Sequence, residues 1–376
     1  MRALVSTLTP YPSGTAHAVH IAATARGFVE AGNDVLLVSA QPGPGWPDGA
    51  APDDRFEVRT LAARDHRGLS IVNLPRIVRV AWSFEPQLAF ADDVRTGLGL
   101  ALAGVPVIVE FHSMQFHRSA LSRAALHRLL RRSELRGIVT ISERLRDDLA
   151  RATGIGPRAI TVLPEAARPR TDAELNGPVP AWLARTMREA TLQLGYTGSL
   201  YEGRGVELML DVARRIPDVD LHILGGPDSA AQKLRARPDR PSNVHVHGLR
   251  PVLDAERLQM AVDVLLAPYA SNVATPGGVD TSRWMSPMKV FEYLAAGRAM
   301  VCSDLPALRE VLDHDRTAML VAPEDPDAWV DAVQRLRDDP GLRVRLGRAG
   351  RAVHTERYTW SIRTERLLNL GIDAPR

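Results

Sequence analysis

The sequence predicts an α/β protein of two domains, each a parallel sheet covered by helices on both faces. Three observations lead there. At 376 residues the chain is too long for one ordinary hydrophobic core and comfortable for two. Short β-type runs alternate with amphipathic helical stretches, the pattern of a parallel sheet wound with helices. That alternation breaks at Pro164–Pro180, which holds four prolines and scattered charge, and then restarts.

In the first half, Arg2–Thr9 reads as a strand and Tyr11–Thr15 as a loop. A helix over His17–Ala31 follows, stopped by Gly32-Asn33, and Asp34–Ser39 is the second strand. The Pro/Gly-rich piece Gln41–Pro52 reads as an irregular surface loop. Further strands are expected at Phe56–Leu61, Gln87–Ala91, Val105–Glu110, Gly137–Ile141 and Ala159–Leu163, with helices between most of them. In the second half, strands are expected at Thr191–Tyr196, Val219–Leu224, Val244–Val246, Val264–Ala267 and Ala299–Ser303. Helices are expected at Val206–Ile216, Asp254–Ala261, Pro287–Ala296 and Asp325–Asp338. The expected division is a first domain at 1–168, a linker at 169–188 and a second domain at 189–357. Open parallel sheets bind ligands beyond the carboxyl ends of their strands, so two Rossmann-like domains imply a cleft between them.

Composition narrows the class. Apolar residues make up 45% and charged residues 24%, as in globular proteins that live in water. Cys302 is the single cysteine, so no intrachain disulfide can form. The apolar run at Met1–Val5 is too short for a signal peptide, and no stretch approaches the roughly 18 apolar residues of a spanning helix. A cytoplasmic location is therefore expected. The net charge of +3 is small for this length, and no nucleic-acid partner is expected. Lys233 and Lys289 are the only lysines among the basic residues.

Three segments of the second half suit an anionic ligand. The first, Tyr196–Gly205, leaves a strand and enters a helix. Gly198, Gly203 and Gly205 let the backbone approach a phosphate, the helix N-terminus offers free N–H groups, and Arg204 adds a forked cation. Read blandly, it is a glycine turn with a solvated arginine. The second, Leu221–Pro227, opens a buried strand into the turn Gly225-Gly226 and says little alone. The third is Ser286–Gly297, a helix with Pro287 at its start and Gly297 at its end. Lys289 and Glu292 share one side of it, and Glu292 is placed to accept hydrogen bonds from a ribose diol. Its bland counterpart is a surface pair worth about 0.2–0.5 kcal/mol.

Together these segments resemble retaining glycosyltransferase family 4, of the GT-B fold class. Ser286–Gly297, with Ser303–Glu310 and Leu320–Pro323, is similar to the family's donor-site signature. Gly198–Gly205 is similar to its phosphate loop, and Val246–Pro251 to its nucleobase-side loop, which brings in Leu249 and Arg250. In the first half, Gly14-Thr15 stands where the family has a glycine loop, and Val109–His112 resembles the strand that delivers a histidine. Arg357–Trp360 is similar to the ending that returns a last helix, 358–376 here, to the first domain. The resemblance implies a hexose-type transfer from a nucleoside-diphosphate sugar to a hydroxyl acceptor (glycan, lipid carrier or small metabolite), with no metal or other cofactor. It implies that Glu292 holds the ribose and that Arg204 and Lys289 neutralise the leaving diphosphate. His112 would contact the transferred sugar, and Gly14, Thr15, Gly198, Ser199, Gly225, Gly226, Leu249, Arg250, Pro287 and Met288 would line the donor. The sequence departs from the family at Trp284, where a second glutamate is common, and at Ser199, where an arginine is usual. Asp280 or N–H groups near Met288 would then serve the sugar. A nucleotide-sugar epimerase or hydrolase on the same scaffold is the first rival; a partner subunit that has lost catalysis is the second.

Other signals weigh less. Asp218-Val-Asp220 has the spacing of a metal-binding acidic pair but stands at the start of a strand, away from the expected cleft. His17/His20 and His245/His247 lack a third ligand nearby in sequence and are expected at the surface or satisfied in the core. Arg118–Arg136 places arginines between leucines, which fits a solvated helix face or a peripheral contact with anionic lipid at the inner membrane face.

Overall fold

The structure is a computed structural model that describes residues 1–43, 54–61, 69–273 and 280–373. Most of the loop read at Gln41–Pro52 lies outside them. The chain divides into two compact domains, Met1–Glu165 with Trp360–Arg376, and Ala166–Thr359.

The first domain is built on β1 (Arg2–Thr7), β2 (Asp34–Ser39), β3 (Phe56–Thr60), β4 (Leu88–Ala91), β5 (Val107–Phe111), β6 (Leu135–Thr140) and β7 (Ile160–Val162). They form one sheet in the order β3-β2-β1-β4-β5-β6-β7, with every pairing parallel. Helices α1 (Ala16–Glu30), α2 (Leu69–Phe84), α3 (Val94–Leu102), α4 (Ala120–Leu129) and α5 (Glu143–Thr153) make the crossovers. The inner strands are buried along nearly their whole length, as a sheet covered on both faces requires. Side chains fix the helix starts: Thr15, Asp93, Ser119 and Ser142 each accept a backbone N–H from the first turn of α1, α3, α4 and α5. β1 ends two residues before the expected Thr9, because Thr7 Oγ1 bonds Asp92 and accepts the Thr9 N–H, which turns the chain away.

The second domain repeats the scheme with β8 (Leu192–Thr197), β9 (Val219–Leu224), β10 (Val244–Gly248), β11 (Val264–Ala267), β12 (Ala299–Ser303) and β13 (Met319–Val321). Their order is β10-β9-β8-β11-β12-β13, again all parallel. Its helices are α6 (Asp172–Leu175), α7 (Ala181–Ala184), α8 (Val206–Arg215), α9 (Asp228–Arg235), α10 (Val252–Ala261), α11 (Met288–Ala296), α12 (Pro326–Asp338) and α13 (Pro340–Arg357). β13, α9 and α13 escape sequence reading. β13 has three residues, too few for a period, and α9 buries only Ala231 and Leu234. Residues 169–188, expected as a linker, fold with this domain. Arg168 and Arg170 pair with Glu256, and Arg188 pairs with Asp220.

The last helix, α14 (Trp360–Asp373), belongs to the first domain and lies against α1, β5 and β6. Gly27 of α1 makes that docking close: any Cβ there would run into the Thr364 side chain. Gly27→Val should therefore cost about 1–3 kcal/mol through overpacking. Urea unfolding should show the loss, and Thr364→Ala in the same chain should recover part of it.

Candidate active site

In the second domain, the turns that follow β8, β9 and β10 are stitched together by backbone hydrogen bonds. Gly198 N–H donates to Leu224 O at 3.0 Å, Leu200 to Gly226 at 2.8 Å and Gly225 to Gly248 at 2.9 Å. The contacts demand glycine. A Cβ on Gly225 would overlap the Gly198 carbonyl, and Gly198 itself adopts φ +134°, with Lys289 Nζ beside it. Gly205 adopts φ +70° and begins α8 without a side-chain cap; Pro287 begins α11 without one either. Both helix N-termini thus keep first-turn N–H groups free of side-chain capping.

Lys289 and Arg204 lie among tyrosines. Lys289 Nζ is 3.8 Å from the centre of the Tyr196 ring and 5.4 Å from that of Tyr269, which Arg204 also faces at 5.4 Å. Neither cation makes an ion pair with a carboxylate among the described residues, and Arg204 Nε is buried without a hydrogen-bond partner. Burial, and then the Arg204 charge, holds the Lys289 ammonium well below its ordinary range. Glu292, one turn on, accepts from Gln259 Nε2 at 2.9 Å, and that amide also donates to Thr197 Oγ1. Burial pushes the Glu292 carboxyl upward. Tyr293 takes the Thr197 N–H at 2.8 Å, which ties α11 to the end of β8.

The remaining donor-side positions have their own partners. Ser199 is exposed, and its carbonyl accepts from Tyr196 at 2.6 Å. Leu249 is 66% exposed beside the Gly226 turn. Arg250 is engaged, with Nε on Asp254 at 2.9 Å and its guanidinium 4.2 Å from the Trp182 ring centre. Asp280 ties its own loop by accepting from Val273 N, Ser282 N and Ser282 Oγ.

In the first domain Thr15 caps α1, while Gly14 is exposed, with nothing within 4 Å of where a side chain would go. β5 sends Glu110 and His112 to the same side, two residues apart. Glu110 Oε1 lies 3.0 Å from His20 Nε2 and 2.8 Å from His112 Nε2, and Oε2 accepts from Arg363 on α14. His20 Nδ1 bonds Glu165 at 2.8 Å, and Arg363 Nε donates to Pro164 O. Burial alone would strip His20 of its proton, but Glu165 and Glu110 outweigh it and raise the ring to about 9. Burial likewise opposes the Glu110 charge, yet Arg363 and His20 hold that carboxyl well below the usual range. His112 is pushed down by burial and stays neutral. Near pH 7 two carboxylates thus face two cations, a balance that lets this charge stay out of water. His112 keeps a fifth of its side chain exposed but turns Nε2 inward.

Two family models match this frame. "Glycosyltransferase Family 4" covers residues 17–168, and "Glycosyl transferases group 1" covers residues 191–339. The chain belongs to glycosyltransferase family 4. This glycosyltransferase is 23% identical to the D-inositol 3-phosphate glycosyltransferase of Corynebacterium diphtheriae over 95% of its length and 89% of the relative's. It is 32% identical to the phosphatidyl-myo-inositol mannosyltransferase of Mycobacterium tuberculosis, but that match spans 44% of the chain and only 43% of the relative. Among solved structures, HepE of Anabaena in complex with UDP superposes with a TM-score of 0.73 at 12% identity, covering 98% of this chain and 99% of that one. The two domains have the GT-B fold.

Of the transferase's expected site residues, Gly198, Arg204, Gly225, Gly226, Lys289 and Glu292 come together in the second domain. Arg250 is drawn off to Trp182, and His112 lies in the first domain's charge cluster. The weaker signals resolve into structure: Asp218 pairs with Arg337, and Asp220 with Arg188 and His245. His222 stacks between His245 and His247. Sequence reading missed Gln259, the three tyrosines, Glu110, Glu165 and Arg363, because each acts through a partner distant in sequence. Only the Glu110–His112 spacing carried a signal.

A pH test follows from His20. Its folded-state pKa is raised, so its pairing is fully present below about 6.5, the ordinary histidine value, and is lost as pH rises through about 9. Chemical unfolding between pH 7 and 10 should show falling stability, and Glu165→Gln should flatten that fall.

Proposed function

We propose that the enzyme moves a hexose-type sugar from a nucleoside diphosphate to a hydroxyl acceptor with retention of configuration. The observation that carries this reading is the unpaired cation couple, Arg204 and Lys289, set among glycine turns and two uncapped helix N-termini. Such a place takes an anion with two phosphate groups. HepE, similar in fold, is described in complex with UDP, and uridine or guanosine diphosphate is the expected carrier here. In this proposal Glu292, steadied by Gln259, accepts the ribose hydroxyls. The N–H groups at Ser199 and Met288 reach the phosphates, Gly198 lets them approach the backbone, and Leu249 borders the base. Gly14, Thr15 and His112 serve the sugar.

The step breaks the bond between the anomeric carbon and the diphosphate oxygen while the acceptor oxygen bonds the same carbon from the same face. The acceptor proton passes to the departing diphosphate oxygen. Negative charge grows on the diphosphate, where Arg204 and Lys289 stabilise it in place of a metal ion. Each such donor is worth about 3–4 kcal/mol in comparable sites. Relatives named for inositol phosphate and phosphatidyl-myo-inositol point to a polyol acceptor carrying phosphate. On α4 the buried Leu126 and Leu129 leave Arg123, His127 and Arg128 facing water, a face that suits an anionic lipid carrier.

Thermal shift against nucleoside diphosphates and their sugars tests the donor. A ligand at 100 times its Kd adds about 2.7 kcal/mol. One base series should stabilise the wild type, and Glu292→Ala should lose most of that shift. Arg204→Ala should mainly lower kcat, by about 10²–10³-fold. Stabilisation by no diphosphate, or unchanged kinetics in both variants, would overturn the assignment. Donor binding without turnover on any acceptor would instead favour a partner subunit that has lost catalysis.

A further inference from the structure

The first domain's charge cluster is satisfied at its edges and open at its centre. Three buried atoms there have no hydrogen-bond partner: His20 Nε2, Glu110 Oε1 and His112 Nε2. They face one another, all within 4.8 Å. Each residue's other anchor is in place. His20 Nδ1 is bonded to Glu165, and Glu110 Oε2 to Arg363. The carboxylate oxygen stands 3.0 Å and 2.8 Å from the two imidazole nitrogens, too poorly aligned to bond either.

Those separations have a simple geometric meaning. Ligand atoms at neighbouring corners of an octahedron, with metal bonds of about 2.0–2.1 Å, stand about 2.8–3.0 Å apart. Two histidines and one carboxylate suit a first-row divalent metal and leave further positions open. The outer contacts match as well. A metal-bound histidine ordinarily gives its second N–H to a carboxylate, as His20 does to Glu165, and ligating carboxylates are themselves hydrogen-bonded.

We propose that His20, Glu110 and His112 form a binding site for a divalent transition-metal ion, with Glu165 and Arg363 as its outer supports. The Glu110 and Glu165 carboxylates offset the charge of an ion there, while Arg363 stays on Glu110 Oε2. The site shares His112 with the proposed sugar contact and does not depend on how the diphosphate is neutralised. It also sets the His112 tautomer. With Nε2 on a metal, Nδ1 carries the ring proton and donates; without one, Nε2–H faces Glu110 and Nδ1 accepts.

The test uses the full chain, stripped with a chelator and titrated with Co²⁺ while visible absorption and bound metal are read. One Co²⁺ per chain with ligand-field bands is expected. His112→Ala should abolish the bands, and Glu165→Gln should weaken affinity about 10–100-fold. Glu110→Gln should abolish binding too; if that variant fails to fold, His112→Ala decides, since its side chain lies at the cluster's exposed edge. No bound cobalt in the wild type, or cobalt binding that His112→Ala leaves unchanged, overturns the proposal.

Discussion

Two cations that pair with no carboxylate among the described residues, Arg204 and Lys289, set the terms for the second domain. Taking a charge out of water costs several kcal/mol, and a cation over an aromatic ring regains only about 0.5–2 kcal/mol. Arg204 and Lys289 are half-buried, so the tyrosines offset part of that cost and the proposed diphosphate would offset more. The local backbone obeys the same demand. Gly198 adopts φ +134°, which disfavours any side chain, and Gly225 has none because the Gly198 carbonyl occupies the space. Helix α11 is anchored through Tyr293 to the end of β8, which fixes Lys289 and Glu292 relative to the glycine turns. In the proposed reading, phosphate oxygens complete this site.

The first domain solves the opposite problem. Its buried carboxylates, Glu110 and Glu165, are matched by Arg363 and by a protonated His20. Arg363 comes from α14, at the far end of the chain, so the crossover helix does more than cover the sheet. It supplies the countercharge that lets Glu110 sit beside His112. Gly27 permits the close approach that brings Arg363 there, which links a packing detail in α1 to the electrostatics around a family-implied site residue.

Much of this was legible in the sequence. Strand and helix alternation indicated two parallel sheets, and the Tyr196–Gly205 and Ser286–Gly297 segments carried both the glycine turns and the cations. Local spacing suffices there because a glycine loop and a helix N-terminus are each contiguous in sequence. The charge cluster was not legible, since His20, Glu110, Glu165 and Arg363 meet only after the sheet has formed. Arg250 shows what local sequence leaves out. Its position suggested the nucleobase, but nothing local reveals that Trp182, sixty-odd residues earlier, would take its guanidinium. The short β13 and the polar α9 were missed because neither shows a usable period.

The central claim is that the cation couple exists to hold the diphosphate. Calorimetric titration with a nucleoside diphosphate and with the matching nucleoside, on the wild type and on Lys289→Met, tests it most directly. The claim predicts a large loss of diphosphate affinity in the variant and no change for the nucleoside. Equal diphosphate affinity in the two proteins would contradict it.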